Sequence, residues 1–199
     1  MDTLLPLLGF AIAGSITPGP NVLMVAAAAA GHGVRAVLPH MLGITFGFGA
    51  MLLLVGFGLA GPLAANPALH AVLRWVGAAW LLWLAWKIAT AKTGVTRDGT
   101  AEAKPPLGFV GAALFQWVNP KAWMLAAAAI PTFTVEGAAL APQVALIAFV
   151  FFAVSMPCLM IWAGIGVGAA RLLREKRRLR AFNVAMALLL LASLVPILH

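Results

Sequence analysis

The sequence predicts an all-α integral membrane protein with about six transmembrane helices, arranged as two inverted halves of three helices each. Hydrophobic residues make up 63% of the 199-residue chain and charged residues only 9%, whereas soluble domains carry about 25% charged residues. Six apolar segments approach the ~20 residues that a helix needs to cross a bilayer. Two of these segments are interrupted near the middle by proline. Together these observations exclude a water-facing globule and predict a single transmembrane domain over residues 1–199.

The predicted spans divide into two sets of three, residues 1–91 and residues 107–199, joined by a cytoplasmic loop at 92–106. Because each half has an odd number of spans, the halves enter the membrane in opposite senses, and the interrupted first and fourth spans meet near the midplane. The last segment is short and lacks an anchor at its far end, so a five-span topology stays open. The six segments are residues 4–30, 37–60, 73–91, 107–130, 144–167 and 181–198.

The basic residues predict the orientation and the partner. Of the 13 Lys and Arg residues, 11 fall in or beside the loops of one face, Arg74 falls on the other face, and Lys121 lies within a span. The positive-inside rule places the 11 in the cytoplasm. The net charge of +8 is therefore attributed to cytoplasmic loops next to the membrane. The predicted partner is the lipid bilayer, and no nucleic-acid partner is predicted.

The first interruption consists of Thr17, Pro18, Gly19, Pro20 and Asn21. The two prolines remove backbone donors and clash with the preceding helical turn, while the glycine adopts backbone angles that other residues avoid. Carbonyls freed in lipid need partners, and the N-terminus of the following half-helix suits a carboxylate. We predict that these five residues bind a substrate; the alternative is a simple proline kink.

The second interruption repeats this arrangement at Asn119 and Pro120, followed by Lys121, with Gln116 one turn earlier. An ammonium near a helix centre costs roughly 2.5–3.5 kcal/mol on insertion scales, so it faces a cavity or a partner. The alternative is that Lys121 snorkels to an interface, which is strained from the middle of a span. We predict that all four residues belong to the substrate-binding site.

Several kinds of chemistry are absent from the predicted spans. No acidic residue lies within a span, so no carboxylate relay for protons is visible. The four histidines lack metal-ligand spacing, and His40 is expected to be an interfacial residue with satisfied ring nitrogens. We therefore predict no catalytic residue, no metal and no cofactor. The five acidic residues are Asp2, Asp98, Glu102, Glu136 and Glu175.

Two glycine patterns predict close helix packing. They are Gly43-x-x-x-Gly47 and Gly164-x-x-x-Gly168. Glycine pairs with this spacing let helix backbones approach closely in a membrane.

These motifs, in this order, resemble the LysE/RhtB family of bacterial amino-acid exporters. The resemblance implies a multi-pass secondary exporter in the bacterial inner membrane that is driven by an ion gradient, with a proton as the expected coupling ion. It is carried by the residues from Thr17 to Asn21, Gly33-Val34-Arg35-Ala36, Val76-Gly77-Ala78-Ala79-Trp80-Leu81, Asn119-Pro120-Lys121-Ala122-Trp123 and Pro131-Thr132-Phe133.

The chain departs from the family pattern at Phe48, where some members that handle basic amino acids carry aspartate. With no acidic residue in a span, we expect a small neutral amino acid such as homoserine, threonine or an aliphatic one. The alternatives are an intramembrane enzyme with Lys121 as base and Ser15 or Ser155 as nucleophile, and a passive channel or scaffold subunit. Neither serine has a sequence context that marks it as a nucleophile, so a non-enzyme is favoured; a homo-oligomer is left open.

Overall fold

The computed structural model describes residues 3–59, 67–90, 106–135, 137–172 and 176–192, and within these ranges it contains helices and no β-strand. The prediction of an all-α fold is confirmed for this part of the chain. A π-helical segment, Val55–Leu59, extends the third helix, and a 3-10 turn, Gln116–Val118, follows the fifth. The α-helices are α1 (Leu4–Ile16), α2 (Pro20–His32), α3 (Val34–Leu54), α4 (Pro67–Ala89), α5 (Phe109–Phe115), α6 (Pro120–Phe133), α7 (Leu140–Leu172) and α8 (Lys176–Ala192).

Each of the six predicted spans overlaps one of these helices or a pair of them. Among the described residues, Val34–Gly58 and Leu140–Ala170 are long and apolar enough to cross a membrane, and α1 with α2 makes a third if the bent pair is one span. The six-span count and the inverted halves therefore stay predictions. The predicted loop at 92–106 lies, apart from Pro106, outside the described residues, as does part of the basic segment at 171–180.

The helices break at both predicted interruptions. α1 and α2 are bent by 51° relative to each other, and Gly19 between them is fully extended, with φ −176° and ψ 177°. At the second break Asn119 is extended, with φ −88° and ψ 107°. Pro20 and Pro120 each occupy the first position of the next helix, where the missing N–H of proline costs nothing.

The helix α7 packs against α1, α2 and α3, while α5 packs against α3 and α8 against α4. The contact between α3 and α5 depends on the first glycine pair. A Cβ atom at Gly47 would lie 2.5 Å from the Cα of Ala113, and one at Gly43 would overlap the carbonyl oxygen of Phe109. The packing role predicted for this pair is confirmed.

The second glycine pair does not have the predicted role. A Cβ atom at Gly164 or Gly168 would meet no atom within 4 Å. The close contact of α7 with α2 is made instead by Gly166, where a Cβ atom would overlap the carbonyl oxygen of Ala26. The glycine spacing alone therefore identified the right helix but the wrong face, because only packing fixes how a helix is rotated about its axis.

The buried apolar side chains form two clusters. The α2 cluster includes Leu23 and Met41, and the α1 cluster includes Leu7, Met51 and Phe151. Helices α3 and α7 contribute to both clusters: one half of each helix packs in the α2 cluster, and the other half packs in the α1 cluster. The two clusters therefore meet near the middle of the two longest helices.

Candidate functional site

A cavity of about 50 Å³ lies between the two helix breaks. Val22 and Ile44 of its lining belong to the α2 cluster, whereas Phe48 and Ala122 belong to the α1 cluster. The cavity is thus at the junction of the two clusters, where both broken helices change direction. The broken helices line it with Gly14, Ser15, Gly19, Asn21, Val22, Asn119, Lys121, Ala122 and Leu125.

Lys121 links the two breaks directly. Its ammonium donates a hydrogen bond of 2.6 Å to the carbonyl oxygen of Thr17, which the first break has freed. The Lys121 side chain passes so close to Gly19 that a Cβ atom there would lie 2.6 Å from its Cδ. Glycine is therefore needed at position 19 for this close approach and not for its backbone angles, because the extended conformation found there is open to any residue, contrary to the expectation from the sequence. The lysine side chain thus points across to the other broken helix.

Asn21 and Gln116 form a second link. The Asn21 Nδ2 donates to the Gln116 Oε1 at 2.9 Å, and the Gln116 Nε2 donates back to the Asn21 Oδ1 at 3.2 Å. The same Gln116 nitrogen also donates to the carbonyl of Ala112 at 2.9 Å, and the residue is fully buried. Gln116 does not line the cavity; it holds Asn21, which does.

Asn119 caps the N-terminus of α6. Its Oδ1 accepts a hydrogen bond of 3.2 Å from the backbone N–H of Lys121. In a helix, N–H groups ahead of the first i to i−4 bond have no partner within the helix. In α2 the first such bond runs from the N–H of Leu23 to the carbonyl of Gly19, at 3.1 Å. In α6 it runs from the N–H of Trp123 to the carbonyl of Asn119, at 3.2 Å.

The cavity therefore receives the positive ends of two half-helices. The N–H groups of Asn21, Val22 and Ala122 precede the first intrahelical bonds, and these three residues line the cavity. Lys121 adds a cationic side chain to the lining of the cavity. A cationic side chain and two helix N-termini together favour an anionic group in the cavity.

The remaining predicted residues shape the breaks instead of lining the cavity. Thr17 and Pro18 are exposed, and the Thr17 hydroxyl donates back to the carbonyl of Ala13. Pro20 and Pro120 begin the two half-helices. Of the nine predicted site residues, the four that line the cavity are Gly19, Asn21, Asn119 and Lys121. The binding role of all nine stays a prediction.

Two unbroken helices complete the wall of the cavity with four residues that are not among the nine predicted binding residues, although the sequence had drawn attention to Phe48 and Ser155 on other grounds. They are Ile44 and Phe48 from α3, and Ser155 and Leu159 from α7. Each pair is four residues apart and so lies on one face of its helix. A polar residue in mid-span, such as Ser155, is the signal that could have pointed to this wall.

His40 differs from the expectation. It is only 2% exposed, and neither ring nitrogen has a hydrogen-bond partner in the part of the chain that the structure describes. It is therefore a core residue of α3 and not a satisfied interfacial residue. The described residues contain no cluster of His, Cys, Asp or Glu that could hold a metal ion.

The helical fold and the cavity between two broken helices define a membrane translocator. The chain belongs to the LysE type translocator family, whose model matches residues 12–194, and the predicted family resemblance is confirmed.

Two relatives are named cysteine/O-acetylserine efflux protein. The relative from Salmonella typhimurium (strain LT2) is 34% identical over 186 residues, covering 93% of this chain and 92% of the relative. The relative from Escherichia coli (strain K12) is 33% identical over 195 residues, with the same coverage. No solved structure matches the chain.

Proposed function

We propose that this protein exports a small neutral amino acid of the cysteine and O-acetylserine type across the bacterial inner membrane. The relatives with that name cover nearly the whole chain, and they favour this substrate class over the homoserine, threonine or aliphatic type expected from the sequence. The observation that carries the proposal is the position of Lys121, which lines the cavity and whose ammonium reaches from the second break to the Thr17 carbonyl at the first.

The carboxylate of the substrate would bind at the positive end of the cavity. Lys121 and the N–H groups of Asn21, Val22 and Ala122 are the donors available there. The same carboxylate would draw the Lys121 ammonium away from the Thr17 carbonyl, to which it is bonded at 2.6 Å. That carbonyl would then accept a hydrogen bond from the ammonium of the substrate. The substrate would thus replace the bond between Lys121 and Thr17 with two bonds of its own, from Lys121 to its carboxylate and from its ammonium to the Thr17 carbonyl.

Transport would require the helices to separate. The cavity of about 50 Å³ is much smaller than the ~300 Å³ at the low end of ligand pockets. It lies at the junction of the α1 and α2 clusters, so opening one cluster against the other would expose it to one side of the membrane. The half-helices would turn about the breaks at 17–19 and 119, because residues at helix ends can absorb changes in backbone angle. An ion gradient, with the proton as the expected ion, would drive this cycle.

The enzyme alternative has its residues beside one cavity, but among the described residues the Lys121 ammonium bonds the Thr17 carbonyl and neither serine. Ser15, Ser155 and Lys121 line the same cavity, as an intramembrane serine nucleophile with a lysine base would require. A passive channel needs a continuous path through the protein, whereas at this position the two breaks are joined by hydrogen bonds from Asn21 to Gln116 and from Lys121 to Thr17. The translocator is the function that uses both breaks.

Efflux from loaded proteoliposomes tests the proposal. Purified protein should release labelled cysteine and O-acetylserine at a saturable rate that rises with an imposed proton gradient. An enzyme would change the substrate chemically, and a channel would show no saturation. If neither substrate leaves faster than from protein-free vesicles, the proposed substrate class is wrong.

A further inference from the structure

We propose that Ser155 recognises the side chain of the transported amino acid and selects substrates that carry a hydrogen-bond acceptor there. This inference rests on the proposed export of an amino acid. It concerns the part of the cavity lining that α3 and α7 contribute, which the proposed binding of the carboxylate and ammonium leaves unused.

The two walls of the cavity differ in chemistry. The broken helices contribute the charged and amide groups, Asn21, Asn119 and Lys121. The wall formed by α3 and α7 is apolar except for the hydroxyl of Ser155. A substrate therefore meets ionic partners on one side and one neutral polar atom among hydrocarbon groups on the other.

The geometry of an amino acid fixes which of its groups faces which wall. The carboxylate, the ammonium and the side chain are attached to one tetrahedral carbon and so point in different directions. When the two charged groups are held at the breaks, the side chain is directed away from them, toward Ser155, Ile44 and Phe48. This wall accordingly contacts the only part of the substrate that differs between amino acids.

The hydroxyl of Ser155 is available for such a contact. Ser155 is 6% exposed and lines the cavity, and its side chain makes no hydrogen bond to another residue in the ranges that the structure describes. Thr45 within α3 and Thr134 directly after α6 instead donate to carbonyls four residues earlier in the chain. An unpaired hydroxyl in an apolar wall favours a ligand that pairs with it, because a ligand that does not pair leaves it desolvated.

The preference is best measured with two substrates of matched shape. O-acetylserine carries ester oxygens in its side chain, and 2-amino-5-methylhexanoate replaces them with carbon. Each would compete with labelled cysteine in counterflow by purified protein in proteoliposomes. Since one neutral hydrogen bond contributes about 0.5–1.5 kcal/mol, we expect Ser155→Ala to reduce the preference for O-acetylserine by about two- to tenfold.

Two variants control for indirect effects. Ser155→Thr keeps the hydroxyl and should retain the preference. Thr45→Val removes a hydroxyl from α3 that is buried and bonded to the Met41 carbonyl at 3.0 Å, outside the cavity lining, and should also leave the preference unchanged. Alanine at 155 suits a helix, so equal amounts of folded protein are expected.

The outcomes separate this inference from the proposed function. If Ser155→Ala slows both competitors equally, or changes neither, the hydroxyl does not select the side chain, while export itself stands. If the unmodified protein exchanges neither cysteine nor O-acetylserine, the proposed function fails and Ser155 loses its role with it. A selective loss for O-acetylserine that Ser155→Thr restores would support the assignment.

Discussion

Replacing Lys121 with methionine should abolish most transport without preventing membrane insertion. Methionine keeps much of the apolar length of the lysine side chain and removes the ammonium. The variant loses the 2.6 Å hydrogen bond to the Thr17 carbonyl and the cationic partner that we propose for the substrate carboxylate. Insertion should improve slightly, because the ammonium costs roughly 2.5–3.5 kcal/mol near a helix centre.

The size of the effect follows from the contact that is lost. A hydrogen bond to a charged group contributes about 1.5–3 kcal/mol, and each ~1.4 kcal/mol is a factor of ten in affinity. The concentration of cysteine that half-saturates efflux should therefore rise about 10- to 150-fold in Lys121→Met. Lys121→Arg keeps the charge in a larger planar group and should retain part of the transport if the lysine only holds a carboxylate. If Lys121 must also release a proton during the cycle, both variants should fail.

The assay is efflux from proteoliposomes with equal amounts of each purified variant. Lys87→Met is the matched control, since Lys87 is an exposed lysine of α4 whose ammonium lies 4.1 Å from the centroid of the Trp83 ring, and it should transport normally. Near-normal efflux by Lys121→Met would remove the lysine from the site and leave the half-helix N–H groups as the anion-binding element.

Three further predictions concern the breaks, the helix contacts and the orientation. Replacing Pro18 and Pro20 together with alanine should restore helical hydrogen bonding and strongly reduce efflux at unchanged abundance; unchanged efflux would mean that the break is only a kink. Gly47→Val should lower the thermal unfolding midpoint in detergent, because overpacking costs typically about 1–3 kcal/mol and the first added carbon would already lie 2.5 Å from α5; an unaltered midpoint would contradict the packing. Tags in the loop at 92–106 and in the connection between α7 and α8 should be labelled only from the cytoplasmic side, although residues 171–172 and 176–180 of the predicted basic loop are helical; labelling from outside intact cells would reverse the predicted orientation.

Local chemistry explains what the sequence alone determined. The apolar composition fixes the membrane class, since a chain with so few charges cannot cover a water-facing surface. The breaks were predictable because proline clusters with glycine or asparagine at both of them, in Pro18-Gly19-Pro20-Asn21 and in Asn119-Pro120. Proline alone is not sufficient, since Pro39, Pro131 and Pro157 lie within continuous helices. The order of the motifs also sufficed to recognise the family. None of these conclusions depends on which helices are neighbours.

The tertiary structure decided which side chains meet, because that depends on how each helix is rotated and on what packs against it. Gln116 and Asn119 belong to the same break, yet Gln116 hydrogen-bonds to Asn21 without lining the cavity, whereas Asn119 lines it. His40 was expected at an interface and is buried in α3. Ser155, without any local motif, reaches the cavity because α7 packs against α1, α2 and α3. Contacts between residues about one hundred positions apart, such as Thr17 and Lys121, are set by helix packing and not by the sequence around either residue.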